Sequence, residues 1–152
     1  MRVSVKCSTA VHMLLMIAAL SKNSKVTSDF IASSTGTNPA EIRKLMSSLK
    51  RAGIIDVARG TGGAELKKPP EEISLLDIYS AVDTASLDKL IGIHANPAKQ
   101  CPFGKNIARV LAEPYAEISG AVREKMAAVT LSRLLVRLGE IEPSVCENNI
   151  VD

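Results

Sequence analysis

Three sets of side chains in this sequence have types and spacing that point to chemistry: a cysteine ahead of a long helical pattern, a glycine cluster behind an arginine, and a row of cations on one face of a short amphipathic segment. Cys101-Pro102-Phe103-Gly104 places a thiol just before the helical pattern, with Lys99 and Lys105 nearby in sequence. A helix N-terminus and neighbouring cations stabilise thiolate, which makes Cys101 a candidate redox sensor that shifts a dimer by pairing with Cys7 or Cys146 of a second copy. A buried, inert cysteine is the alternative. Three cysteines, odd in number and far apart, exclude a disulfide scaffold and fit a reducing, cytoplasmic setting. His94 and Cys101 are two candidate ligands, too few for a metal site, so no metal and no other cofactor is expected. A thiol enzyme using Cys101 as nucleophile lacks a partner, since neither His12 nor His94 stands in a motif.

The glycine cluster Gly60-Thr61-Gly62-Gly63 invites comparison with loops that cradle phosphates. A P-loop needs Gly-x-x-x-x-Gly-Lys-Ser/Thr, and a dinucleotide fingerprint needs Gly-x-Gly-x-x-Gly between strand and helix. Neither is present: Glu65 stands where the third glycine of the fingerprint belongs. The loop also leads into a strand pattern, so no helix N-terminus awaits a pyrophosphate. What remains is a tight turn or the tip of a wing flanked by Arg59.

The cations lie on the clearest helix in the sequence. Asn38 is a good N-cap, Pro39 fits the first helical position and Glu41 the capping-box position. Ile42, Leu45, Met46 and Leu49 form one apolar stripe, Gly53 stops the helix, and Arg43, Lys44, Ser47, Lys50 and Arg51 lie opposite. Before it, Thr27 or Ser28 caps a short helix with Phe30 and Ile31 as apolar members, ending at Gly36. After it, residues 54–59 and 64–68 read as two strands around the glycine turn. A helix pair followed by a hairpin is the order of a winged helix-turn-helix.

The rest of the chain supplies the support. The apolar run from Ala10 to Leu20 follows Arg2 and Lys6 in the manner of a secretory leader, yet His12 interrupts it and it is well short of the roughly 20 residues of a membrane span. It reads as a buried first helix, and no membrane partner is expected. Ser74 and Asp77 form a capping box for a helix ending near Asp83. A long helical pattern runs from Gly104 to about Val129, with Ile107, Val110, Leu111, Ile118, Val122, Met126 and Val129 on one side and Pro114 expected to kink or divide it. Thr130 caps a last helix that Gly139 stops, before a loosely held acidic tail. The long stripe either lies across the N-terminal part or pairs with a second copy in a two-fold dimer.

Composition agrees with a helical protein. With no Trp, two Tyr and two Phe in 152 residues, the core must be aliphatic. The net charge of +3 hides a division at Pro70: residues 1–70 carry 11 Lys and Arg against 4 Asp and Glu, and residues 71–152 carry 8 against 12. A basic front half suits a polyanion partner. The fold class expected is mainly α with a small β hairpin: a winged helix-turn-helix DNA-binding domain (1–70), dimerisation and sensing helices (71–139) and an acidic tail (140–152). The basic residues from Arg2 to Lys68 should then line one face.

Several segments also carry a family resemblance. They are Met1 to Lys6 with Ala10-Val11, Ile31-Ala32 to Gly36, Leu45 to Leu49 and Ala52-Gly53-Ile54-Ile55. Arg59-Gly60-Thr61-Gly62-Gly63 followed by Ile73 to Asp83 (ISLLDIYSAVD) is the most distinctive, an Arg-Gly-x-Gly-Gly wing ahead of an Ile-x-Leu-x-Asp-Ile helix. Together they resemble the Rrf2 family of bacterial transcription regulators over nearly the whole chain. That family includes the iron-sulfur cluster regulator, the nitric-oxide-sensing repressor and the cysteine-metabolism repressor.

The resemblance implies a dimer whose helix 38–52 enters the major groove of double-stranded DNA while the wing tip reaches the minor groove. Asn38, Ala40, Arg43 and Lys44 then occupy the base-facing start of the recognition helix, and Arg59 and Gly60 match the wing. Arg43 or Lys44 would donate to guanine edges, and Lys6, Thr27 and Ser28 would contact phosphates. Ala40 offers no side-chain hydrogen bond, so the base preference need not follow that of those relatives. Cluster-binding members carry three cysteines between the fourth and the long helix; here that segment holds only Cys101, which argues against an iron-sulfur cluster. The resulting expectation is a homodimeric repressor on a palindromic operator, without catalysis and with an undefined effector. A thiol-dependent enzyme and a winged-helix protein-interaction module are the competing classes.

Overall fold

The computed structural model describes residues 4–60, 62–83 and 85–147. Its side-chain description excludes residues 146 and 147, so Cys146 is placed only by its backbone. Arg2, Thr61 and the tail beyond residue 147 lie outside the described residues. The elements are α1 (Lys6–Leu20), α2 (Ser28–Thr35), α3 (Pro39–Arg51), β1 (Ile55–Val57), β2 (Ala64–Leu66), α4 (Leu75–Val82), α5 (Pro102–Ala128), α6 (Leu131–Ile141) and α7 (Ser144–Glu147). Single 3-10 turns occupy Pro70–Glu72 and Leu87–Lys89.

Two compact units result, one formed by Met1–Asp83 with Ala127–Asp152 and the other by Thr84–Met126. These packing units follow different lines from the functional division expected at Pro70, because α6 packs on α1 and on the 3-10 turn before α4. A short antiparallel bridge between Ser74 and Thr130 makes the join: Leu75 N donates to Val129 O at 2.7 Å and Leu131 N to Ile73 O at 2.8 Å. The N-caps of α4 and α6 are thus neighbouring residues. Both caps act as the sequence indicates: Ser74 and Asp77 form the complete capping box, and Thr130 accepts from Arg133 N.

The first unit has an aliphatic core. Met13, Leu14 and Ile17 of α1 pack with Ile31, Ile42, Leu49, Ile55, Ile73, Ile78 and Leu131, all fully buried. The α1 helix starts earlier than the apolar run, at Lys6, and turns one face inward while His12 stays exposed and meets Ser34 Oγ at 3.0 Å on α2.

Several local expectations change. Phe30 is 44% exposed, and Ile31 with Ala32 forms the buried side of α2, because eight residues give two turns and one inward face. The two strands are three residues each rather than five or six, pairing Ile55 with Leu66 and Val57 with Ala64. The α5 helix runs unbroken through Pro114, and α6 runs through Gly139 to Ile141. A proline removes one backbone donor and a glycine costs only about 1 kcal/mol in a helix, so neither ends a helix whose flanking turns are otherwise sound. Part of the expected acidic tail is the last turn of α6 and the short α7.

Candidate nucleic-acid interface

The start of α2, the free face of α3 and the hairpin meet around one open cleft of about 600 Å³. Thr27, Ser28 and Asp29 contribute from α2, Arg43, Ser47 and Lys50 from α3, and Val57, Gly60 and Gly62 from the wing, with Met46 also lining it. Local sequence explains each placement. Thr27 accepts from Phe30 N and fixes the start of α2, while Gly36 leaves it at φ 65°, turning the chain into α3. Asn38 Oδ1 accepts from Ala40 N at 2.8 Å, with Pro39 at the first helical position. Glu41, at the position expected to complete a capping box, instead makes an ion pair with Lys44 at 2.6 Å.

The wing is held against the segment before α2. Ala64 N donates to Val26 O at 2.9 Å, so the returning strand leans on the segment before α2. A Cβ added to Gly63 would lie 2.5 Å from Val26 N, an approach that only glycine permits. Gly60 has φ 78°, the left-handed turn conformation. The Arg-Gly-x-Gly-Gly pattern is therefore a turn requirement joined to a packing requirement.

Three of the four cations of α3 stand beside acids. Arg43 Nη1 lies 3.9 Å from Asp29 Oδ1, Lys44 Nζ 2.6 Å from Glu41 Oε1, and Lys50 Nζ 3.5 Å from Asp56 Oδ1. The Lys44 hydrogen bond and charge, with Lys6 as a weaker influence, hold the Glu41 carboxyl below the usual range. Asp56 is likewise lowered, first by the backbone N–H of Val57 and then by Lys50 and Lys67.

Of the residues expected to meet DNA, Thr27, Ser28, Arg43 and Gly60 line the cleft. Asn38, Ala40 and Lys44 lie on the first turns of α3 outside that lining, Lys6 opens α1 within electrostatic reach of Glu41, and Arg59 is exposed on the wing. Ser47 and Lys50, placed on the free face of α3 by the sequence but not among the expected DNA contacts, also line the cleft, as does Asp29. Residues 43, 47 and 50 share one helical face, a spacing visible in the sequence; Asp29 comes from another helix and left no such signal.

In the second unit, Cys101 N donates to Ala98 O at 3.1 Å at the start of α5. The thiol is held below its ordinary value by the backbone N–H groups of Gly104 and Phe103, and not by Lys99 or Lys105. Cys7, half-buried in α1, is shifted upward by burial and by Asp83. His94 is exposed.

A capped helix pair with a basic second helix and a glycine-tipped hairpin defines the class: a winged helix-turn-helix DNA-binding protein. Residues 3–137 match the model of the Rrf2 family, described as iron-dependent transcriptional regulators, and the chain belongs to that family. It is similar to "Putative HTH-type transcriptional regulator YwnA" of Bacillus subtilis, with 35% identity over 136 residues, 90% of this chain and 98% of that one. Its fold is also similar to that of IscR from T. potens, with TM-score 0.69 and 20% identity over 93% and 91% of the two chains. The global cysteine regulator CymR of B. subtilis gives TM-score 0.65 and 20% identity over 90% and 97%. The protein is a DNA-binding transcription regulator.

The family is described as iron-dependent, and the donor set of this chain does not fit an iron-sulfur cluster. The sequence has three cysteines, placed in α1, before α5 and in α7, and among the described residues no three His, Cys, Asp or Glu side chains gather as a ligand set. A cluster normally takes four ligands, mostly thiolates. No helix among the described residues is long and apolar enough to cross a membrane.

Proposed function

We propose that this chain is a homodimeric repressor that reads a palindromic operator through α3 and the wing. The observation that carries the reading is the single cleft joining the α2 start, Arg43 and Lys50 of α3, and the wing glycines. On this reading α3 enters the major groove with Asn38, Ala40, Arg43 and Lys44 toward the bases, and Arg59 and Gly60 follow the backbone into the minor groove. Lys6, Thr27 and Ser28 contact phosphates, which set register without reading sequence. On this reading residues 1–70 form the DNA-binding part, 71–139 the dimerising and sensing part, and 140–152 an acidic end.

Dimerisation is supported by the exposure of α5. In 27 residues only Ser119 is fully buried, while Phe103 is 85% and Val110 65% exposed. Ile91 and Ile93, with Ala112, Ala116 and Gly120 of α5, border an open cleft of about 690 Å³ in the same unit, a seat for a second α5. Redox response is supported by the two N–H groups on the Cys101 sulfur, which favour the reactive thiolate.

Selection of bound duplexes from a random pool, with and without mild oxidant, tests the reading. A recovered inverted repeat whose half-site centres lie about 34 Å apart supports it. Recovery of no preferred sequence overturns it, and binding insensitive to salt favours a protein-interaction module. Unchanged affinity with Cys101 still reduced after oxidant removes the sensor.

A further inference from the structure

We propose that Asp29 is a specificity-determining residue of the DNA interface, a positioning group that aims Arg43 and suppresses sequence-independent binding. The inference rests on the reading of the cleft as the DNA face and goes beyond it, since Asp29 is an acid on a surface meant for a polyanion. Both members of the pair are exposed, and Asp29 lines the same cleft as Arg43, Ser47 and Gly60.

The geometry separates Asp29 from the other two acids. Glu41 grips Lys44 at hydrogen-bond distance on the same helix, and Asp56 is tied to the backbone N–H of Val57 as well as to Lys50. Asp29 comes from α2 and stands 3.9 Å from the guanidinium, beyond hydrogen-bond length. Charge attraction at that distance biases the guanidinium toward the start of α2 without a hydrogen bond to Asp29 occupying its N–H fork. A free, oriented fork is what bidentate recognition of guanine O6 and N7 requires. The N-terminus of α2 is fixed by the Thr27 cap, so Asp29 is delivered from a rigid turn.

The same carboxylate repels phosphate on every sequence. Non-specific binding is almost entirely electrostatic, so an acid in the cleft weakens it across all duplexes. Specific binding regains the loss through the oriented Arg43. Asp29 thus widens the gap between operator and other DNA, and discrimination is the quantity that it controls.

The test measures affinity of the full-length chain for a duplex recovered from a random pool and for a scrambled duplex of equal length, across a salt series. Asp29→Asn is expected to bind the scrambled duplex several-fold tighter and to lose at least about fivefold in the operator-to-scrambled ratio, the scale of one misaligned base contact. Arg43→Lys keeps the charge but not the fork; in that background Asp29→Asn should leave the ratio unchanged. If Asp29→Asn shifts both duplexes by the same factor, the acid is a general charge and the positioning role is overturned while DNA binding stands. If the unaltered chain does not distinguish the two duplexes, the DNA-reading assignment itself falls, and this inference with it.

Discussion

Arg59 and Cys101 each make a contribution that a single substitution or a single pH series can measure. Arg59 is exposed on a wing whose position is fixed by the Val26 contact, so its removal takes away one contact without disturbing a core. Arg59→Ala should weaken operator binding by more than about tenfold in a gel shift, the scale of one lost contact of roughly 1 to 3 kcal/mol. An unchanged affinity would place the wing outside the mechanism. The thiols offer a pH test. Cys101 is lowered by two backbone N–H groups and Cys7 is raised by burial, so the Cys101 thiolate forms at lower pH. As pH rises, Cys101 should alkylate first, with Cys7 following only at higher pH than an ordinary thiol. Site-resolved mass spectrometry after short iodoacetamide pulses reads both rates, and equal rates would remove the basis for a sensor. The two roles are legible in different ways. Arg59 belongs to a local pattern; at Cys101 the helix N-terminus legible in the sequence supplies the N–H groups that lower the thiol, while the neighbouring Lys99 and Lys105 are not among the causes.

Caps and turns decide where the elements stop, and they show which parts of the fold a sequence makes visible. Asn38 with Pro39, Ser74 with Asp77, and Thr130 act within a few residues of themselves, so the starts of α3, α4 and α6 are legible. The ends are less so: α6 passes Gly139 and α5 passes Pro114, since whether a weak residue ends a helix depends on what surrounds it. The pairing of Ser74 with Thr130 spans more than fifty residues and has no local signal, which is why the place of α6 in the first packing unit is not legible in the sequence. Ser74→Ala removes the cap of α4 beside this bridge and should cost about 1 kcal/mol of unfolding free energy in a denaturant titration. A loss below a few tenths would mean that the bridge alone holds the start of α4. Gly63→Ala tests the wing at the same scale. Its Cβ would press on Val26 N and part the hairpin from its support, so a loss of about 1 to 3 kcal/mol is expected, with weakened operator binding. Full stability and full binding in that variant would show that the hairpin is free to move away from Val26.

For the whole molecule the governing quantities are symmetry and charge. The basic residues gather in the first 70 positions, where the cleft lies, and the acidic excess falls in the segment that carries α5. One copy of α3 covers only part of a major groove, and a single module buries too little for the affinity and discrimination that a regulator needs among many competing sites. A second copy doubles the contact and fixes the spacing of the half-sites. On the proposed two-fold reading, the exposed apolar side chains of α5 are the surface for that pairing. Val110→Asp with Ile118→Asp places two charges there, and because both side chains are exposed in the single chain, its fold should survive with an unchanged circular dichroism spectrum. Sedimentation equilibrium should then report a monomer where the unaltered chain is a dimer. Affinity for the inverted repeat should fall toward that for one half-site, and the salt dependence of binding should lose about half its slope, because each subunit supplies half of the phosphate contacts. A variant that remains dimeric would move the interface off this face of α5, and an unaltered chain that sediments as a monomer while binding the repeat would overturn the two-fold arrangement altogether.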